Sequence, residues 1–421
     1  FQPIVMPSTE LTHDRFTRTP DKFAAYIQDK MEYENVIINV GLRLDAFWVN
    51  GQIAIDREDP NVYMPFKLDH KYKDLNGDGV IELSEQVEEN EYSLEERKDF
   101  WYRAVEAKYQ VSPRFGIAYP ITDRGVIHFS YGIFQQIPEY SLLYNGDERK
   151  VSRAAETYGP FGNPDLNPQR TTMYELGLSQ QLTNNLAINV TGFYRDIRDW
   201  ISSSPSIPTI VAGVSYATRI NRDFANVRGI TVMVDRRLSN HFAFKGDYTL
   251  QIVEGTNSAP EDEFWAQLEG AEPTRQLAPL NWDQRHTLNL NLFFGSPGLG
   301  ASILARYNSG QPYTPEILTG ERVGRSIIMG LAENSRRKPP RFTVDINAFK
   351  QFQLGEGVVK ISTQIYNLFD TDNPSTVYSD TGEAGYTIRQ VQVTQADKGY
   401  FIRPEYYAEP HQILLGISYE F

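Results

Sequence analysis

The chain has 421 residues, 40% hydrophobic and 13% aromatic, with a mean hydropathy of −0.45 and a net charge of −13. That balance excludes a nucleic-acid partner, which needs a basic face for phosphate, and the absence of cysteine excludes a disulfide framework or a thiolate metal site. No apolar run approaches the roughly 18 residues of a spanning helix, but spanning strands escape that test because alternation hides their apolar face.

About thirteen strand segments follow one another in pairs. Phe23 to Glu32 and Val36 to Phe47 come first, joined at Glu32-Tyr33-Glu34-Asn35, and a long excursion runs from about Trp48 to Gln110. Ser112 to Pro120 and Val126 to Ile137 turn at Thr122-Asp123-Arg124-Gly125, and a second long loop ends near Arg170. Thr172 to Leu182 and Leu186 to Trp200 are joined at Thr183-Asn184-Asn185, then Val227 to Leu238 and Phe242 to Val253 at Ser239-Asn240. Arg285 to Phe294 with Ala301 to Tyr307, Phe342 to Phe352 with Val358 to Phe369, and finally Ile413 to Phe421 complete the series. Asn, Gly, Asp and Ser dominate the short turns because they tolerate the backbone that tight hairpins need.

Within these segments apolar and polar residues take turns. Ile413, Leu415, Ile417, Tyr419 and Phe421 share one face of the last segment, with Gln412, Leu414, Gly416, Ser418 and Glu420 on the other. Leu288, Leu290, Leu292 and Phe294 alternate with Asn289, Asn291 and Phe293, and Tyr174, Leu176, Leu178 and Leu182 with Glu175, Gly177, Ser179 and Gln181. Segments of about ten residues, with tight turns at one end and long polar loops at the other, predict an all-β, antiparallel transmembrane barrel. Its 25 Tyr and 23 Phe suit aromatic girdles at the two interfaces. With Phe421 at the periplasmic end, every short turn is periplasmic and every long loop extracellular. An odd strand number cannot close by antiparallel pairing, so further strands are expected before Phe1. Phe1-Gln2-Pro3-Ile4 carries no basic region followed by an apolar one, so a leader has been removed or lies upstream.

Several short pieces, in this order and on these strands, carry a family resemblance. They are Ala25-Tyr26-Ile27-Gln28-Asp29-Lys30, Gly41-Leu42-Arg43-Leu44-Asp45, Ser112-Pro113-Arg114-Phe115-Gly116, Asn163-Pro164-Asp165-Leu166-Asn167-Pro168 and Tyr174-Glu175-Leu176-Gly177. Asn226-Val227-Arg228-Gly229-Ile230, Gln284-Arg285-His286-Thr287-Leu288-Asn289 and Asn367-Leu368-Phe369-Asp370 follow. Residues 1–421 resemble the C-terminal part of the β-barrel of TonB-dependent outer-membrane receptors, in the subgroup with a carboxypeptidase-regulatory-like domain common in Bacteroidota. The resemblance implies about thirteen strands of a 22-stranded barrel in the bacterial outer membrane, filled by a plug. It also implies uptake of a scarce, bulky substrate such as a metal chelate, cobalamin or an oligosaccharide. Its implied partners are the TonB–ExbB–ExbD system, through a plug and TonB box that this chain lacks, outer-membrane lipids, and the barrel assembly machinery. That machinery would read Ile413, Leu415, Ile417, Tyr419 and Phe421 as an assembly signal.

Inside the 48–110 insertion, residues 74–85 match the twelve-residue EF-hand loop. Asp74, Asn76 and Asp78 stand at positions 1, 3 and 5, Gly79 at 6, Val80 at 7 with its carbonyl, and Glu85 at 12. Hard oxygen donors select Ca²⁺ over transition metals, so a structural calcium site of extracellular type is expected. Ser93-Leu94-Glu95-Glu96 reads as a capping box opening a helix from Leu94 toward Tyr109. The acidic stretch Glu254 to Glu272 reads as a solvated loop, and Arg336-Arg337-Lys338 as a weak candidate for lipopolysaccharide phosphates. The six histidines lack ligand spacing and no nucleophile elbow appears, so no catalytic residue and no enzyme is expected. Substrate-binding residues are not assignable from the sequence. Two rival roles stand beside transport: a receptor-like barrel scaffolding a surface complex, for instance under a lipoprotein lid, and a soluble calcium-binding β protein.

Overall fold

Thirteen long strands lie side by side in strict chain order in the computed structural model, each antiparallel to its neighbours. Residues 6, 7, 9–11, 13–268, 277–316, 333–389 and 397–421 are described. The strands are β1 (Asp21–Tyr33), β2 (Val36–Trp48), β3 (Lys108–Thr122), β4 (Gly125–Gln136), β5 (Gln169–Thr183), β6 (Leu186–Ser203) and β7 (Ser215–Ser239). They continue with β8 (Phe242–Gly255), β9 (His286–Ser296), β10 (Leu299–Asn308), β11 (Arg341–Leu354), β12 (Gly357–Tyr366) and β13 (Gln412–Glu420). Three short strands, Thr157–Phe161, Ile207–Pro208 and Ala278–Pro279, bring the sheet to 16.

The short connections all fall on one rim and consist of two residues each, such as Glu34-Asn35 between β1 and β2 or Asn184-Asn185 between β5 and β6. Asn240 and His241 take φ of 53° and 63°, the mirror-image turn whose twist matches paired strands. This turn lies one residue beyond the expected Ser239-Asn240.

Register confirms the two faces. Tyr131, Tyr174 and Tyr194 are cross-strand partners on the outward face of β4, β5 and β6, with ring centroids 5.1 and 6.3 Å apart. Outward apolar residues stay exposed, Leu176 at 59% and Leu415 at 80%, as a lipid-facing surface must.

The apolar core lies elsewhere, at the long-loop rim. Phe47, Val49, Leu143, Tyr144, Leu166 and Ile201 form one buried cluster; Phe66, Val151, Val214 and Tyr216 form a second; Ala54, Val62 and Trp101 form a third. Strand β7 starts twelve residues before the expected Val227. Its first residues rise above the wall, where Tyr216, Ala217, Thr218 and Arg219 are buried, with Thr157–Phe161 on one side and Ile207–Pro208 and the end of β6 on the other.

The capping box is present. Ser93 Oγ accepts from Glu96 N–H at 3.3 Å and Glu96 accepts from Ser93 N–H at 2.8 Å. The helix it opens, α1 (Leu94–Trp101), does not reach Tyr109. Tyr102–Ala104 instead pairs with Gln52–Ala54, and the chain enters β3 at Lys108, so sheet pairing overrides the helical propensity.

The acidic stretch is not simply solvated. Helix α2 (Asp262–Leu268) buries Glu263 and Phe264, and Arg219 and Arg222 meet Glu261 and Glu263. Residues 269–276 of that stretch lie outside the described residues. Of the basic trio, Arg337 pairs with Asp283 at 2.5 Å and Lys338 donates to Ser375 O at 3.4 Å, so both tie loops together.

Candidate functional site

The EF-hand-like loop follows a single helical turn, Leu68–Lys71. Its oxygens fold onto its own backbone. The Asp74 carboxylate accepts from Gly77 N–H at 2.7 Å and Gly79 N–H at 2.8 Å. Asn76 Oδ1 accepts from Asp78 N–H at 2.9 Å, and Asp78 Oδ1 from Val80 N–H at 2.8 Å. Glu85, 5% exposed, closes the loop by accepting from Leu75 N–H at 2.8 Å and Glu82 N–H at 3.0 Å. Gly77 and Gly79 have φ of +76° and +82°, the left-handed region that favours glycine, so the turn depends on them. Hydrogen bonds from Gly79 and Gly77 hold the Asp74 carboxyl below its usual range. The donors are all hard oxygens. Among the described residues, however, no group of three or more His, Asp or Glu gathers as a metal cluster, so Asp74, Asp78 and Glu85 share a loop without converging on one point.

Around this loop, three long connections pack into a cap. Asn61 Nδ2 donates to Val151 O at 2.8 Å, Tyr144 OH to Val49 O at 2.6 Å, and Tyr216 OH to Arg57 O at 3.0 Å. Asp59 is wholly buried and accepts from Phe66 and Lys67 N–H, each at 3.0 Å. It faces His70 Nδ1 at 2.9 Å, with Asp56 Oδ2 3.8 Å from Nε2. The hydrogen bond to Asp59 raises the His70 pKa above its usual value. The segment before β1 is strapped to the cap by Arg18–Asp147 and Lys150–Asp14, both at 2.8 Å. Burial pushes the Asp147 carboxyl up although Arg18 opposes it.

Below the cap, the inward face is a polar wall. Thr191, Thr231, Thr249 and Thr287 are register partners on β6 to β9, with Thr231 and Thr249 hydroxyls 3.0 Å apart. Gln284 Nε2 donates to Thr287 Oγ1 at 2.6 Å and Asn308 Oδ1 at 2.9 Å, and Asn289 Nδ2 to Asp247 at 2.8 Å. Away from that row, a cavity of about 850 Å³ opens at the long-loop end of β1 to β5, lined by Lys22, Arg43, Phe47, Lys108, Gln110 and, from β6, Asp199 among others. Alternation marks these strand residues as inward; only the register places them together.

The expected assembly signal runs along the outward face of β13. Ile413, Leu415, Ile417 and Tyr419 oppose Ile365, Thr363, Ile361 and Val359 of β12, and the Phe421 ring stacks on Tyr419 with centroids 6.1 Å apart.

Comparison with known proteins follows this geometry. The family model for "TonB dependent receptor-like, beta-barrel" matches residues 4–368. No curated protein matches the chain in sequence. Similar solved structures include the ferric-catecholate import receptor Fiu from K12 E. coli in its closed form (TM-score 0.53, 16% identity, 95% of this chain and 44% of that one). The siderophore receptor PiuA from Acinetobacter baumannii is similar (TM-score 0.52, 14% identity, 96% and 44%). So is the FrpB iron transporter from Neisseria meningitidis (TM-score 0.52, 14% identity, 96% and 46%). At such identities the likeness is one of fold, and the chain spans less than half the length of each of these structures.

Proposed function

The chain belongs to the TonB-dependent receptor β-barrel family, whose members are outer-membrane proteins, and on that premise we propose that it walls the uptake path of a TonB-energised receptor. The family's members are receptors and transporters rather than enzymes. The substrate is a scarce, bulky molecule of the metal-chelate, cobalamin or oligosaccharide type. It binds between the cap and the polar inward wall, and energy arrives through the TonB–ExbB–ExbD system acting on a plug outside this chain. The observation that carries this reading is the polar inward face, Thr191, Thr231, Thr249 and Thr287 on β6 to β9, together with the 850 Å³ cavity at the long-loop end of β1 to β5. Deleting the receptor gene, or its TonB partner, abolishes growth on the substrate in a panel of chelated metals, cobalamin and oligosaccharides. Growth unchanged on every member of the panel refutes it.

The 48–110 insertion serves as an extracellular module, and residues 74–85 as its calcium loop, with Asp74, Asn76, Asp78, Glu85 and the Val80 carbonyl as ligands. Support comes from the all-oxygen donor set, the ionised Asp74, and the left-handed turns at Gly77 and Gly79. Calcium there draws the three carboxylates inward and stiffens the module. Barrel assembly relies on the outward apolar row of β13 ending at Phe421.

A further inference from the structure

On the lipid-facing side of the wall, cations gather at one level. The outward row of β5 rises from Leu178 through Leu176 and Tyr174 to Thr172 and Arg170. That of β6 rises from Val190 through Gly192 and Tyr194 to Asp196 and Arg198, and that of β7 from Val232 through Ile230 to Arg228 and Asn226. Arg170, Arg198 and Arg228 lie 13, 12 and 11 residues from Thr183, Leu186 and Ser239, the short-turn ends of their strands. At about 3.4 Å per residue and a tilt of about 40°, they stand roughly 30 Å above that rim, beyond an apolar band about 25 Å tall. Near this level the other strands carry the aromatic girdle instead, with Trp48 on β2, Tyr109 on β3, Tyr307 on β10 and Phe342 on β11.

Arg170 and Arg198 are direct register partners. Like charges placed so repel each other. Arg170 is exposed and, among the described residues, has neither ion pair nor hydrogen bond. Both of its neighbouring strands are in place, β4 at Gln135 and β6 at Arg198, so its open side is the outside of the wall. Arg170 also borders the cavity at the long-loop end, yet the unbroken register from Tyr174 turns its side chain outward. Asp196 orients Arg198 by accepting from Nε at 2.9 Å, and the Phe224 ring lies 4.9 Å from the guanidinium, so the Arg198 amino groups stay open. Arg228 pairs with Glu254 of β8 at 3.0 Å. Asp196 and Glu254 are the carboxylates that face the three arginines, which leaves positive charge in excess.

We propose that Arg170 and Arg198 form a seat for the phosphate of an outer-leaflet lipid headgroup, flanked by Arg228. The proposal rests on the outer-membrane family of the chain and is independent of what passes through the barrel. A phosphate between the two guanidinium groups turns their repulsion into paired, charge-assisted contacts, the geometry that arginine offers such oxygens. An arginine is costly at the bilayer midplane and nearly free at this depth, so the pair stands where headgroup phosphates are. Tyr174 and Tyr194, with ring centroids 6.3 Å apart, lie below on the same face, toward the acyl chains.

The test uses the full receptor in neutral detergent, titrated with bisphosphorylated lipid A, with its dephosphorylated form and with phosphatidylcholine. Native mass spectrometry reads the lipid retained. The parent retains lipid A in preference to the other two. Arg170→Gln with Arg198→Gln weakens that retention roughly 30-fold, the loss of two arginines at a membrane surface. Arg236→Gln, outward on β7 at the opposite rim, leaves it unchanged. Equal retention of lipid A and its dephosphorylated form by the parent overturns the proposal, because acyl chains alone would then hold the lipid. So does parental retention by the double variant, or an equal loss in Arg236→Gln, which would reduce the effect to overall charge. Arg170→Gln alone breaks no hydrogen bond and serves should the double variant fail to assemble. It weakens retention roughly fivefold, and parental retention there overturns the proposal as well.

Discussion

Adjacent residues on β9 offer a direct test of the two faces. Leu290 points outward between Gly246 of β8 and Ala305 of β10, and its strand neighbours on that face are Leu288 and Leu292. The outward row from Leu288 to Phe294 covers roughly 20 Å along the strand at about 3.4 Å per residue. A tilt of about 40° reduces that to roughly 15 Å of an apolar band about 25 Å tall, which puts Leu290 well inside it. A lysine there has no counter-charge and no water, and near the midplane costs about 2–4 kcal/mol. At about 1.4 kcal/mol per tenfold, the folding equilibrium falls roughly 30- to 700-fold. Asn289, one residue away, faces Asp247 across a 2.8 Å hydrogen bond. Asn289→Lys exchanges that bond, worth about 1 kcal/mol net, for an ion pair, and stays within about 1 kcal/mol. The assay is urea unfolding of the receptor in lipid vesicles for Leu290→Lys, Asn289→Lys and the parent. Equal destabilisation by the two, or a larger effect at Asn289, would refute the assignment of faces.

Other outcomes are equally direct. His70 has a folded pKa raised above 6.5 by Asp59, with Asp56 and Asp69 adding to it while burial opposes. Its stabilisation of the cap is therefore fully present below pH 6.5 and is lost as pH rises through the folded value. Proteolysis of residues 49–107 should accelerate across that window, and His70→Asn should flatten the dependence. Leu143 is wholly buried in the cap, so Leu143→Ala should cost about 2–5 kcal/mol there; clipping of the loops with an intact heat-resistant barrel is the expected result. Asp74→Ala with Glu85→Ala, or chelation of calcium, should make the 49–107 excursion protease-sensitive without unfolding the barrel, and unchanged resistance would remove the calcium role. Phe421→Ala should lower outer-membrane yield, and normal yield would remove the assembly role.

The strands were legible because lipid enforces a period of two on one face. Leu288, Leu290, Leu292 and Phe294 state their own orientation, and Asn184-Asn185 marks a turn at the rim, while the turn expected at Ser239-Asn240 sits one residue later at Asn240-His241. The start of β7 was not legible because Tyr216, Ala217, Thr218 and Arg219 are packed on both sides and show no alternation. The end of α1 was hidden for a related reason, since Tyr102–Ala104 pairs with a strand some fifty residues earlier. Cap contacts such as Asn61 to Val151 link segments whose sequences carry no mark of each other.

The cap has a consequence for how the protein responds to heat and cold. Its buried Val49, Leu143, Val151 and Tyr216 are removed from water on folding, whereas Leu415 and Ile417 of the wall exchange one apolar neighbour for another within the bilayer. Heat capacity follows apolar surface exposed to water, so the heat-capacity step belongs to melting of the cap rather than the wall. Calorimetry of the membrane-embedded receptor should therefore resolve an early, curved cap transition below a nearly athermal barrel. The extracellular roof alone should loosen on deep cooling.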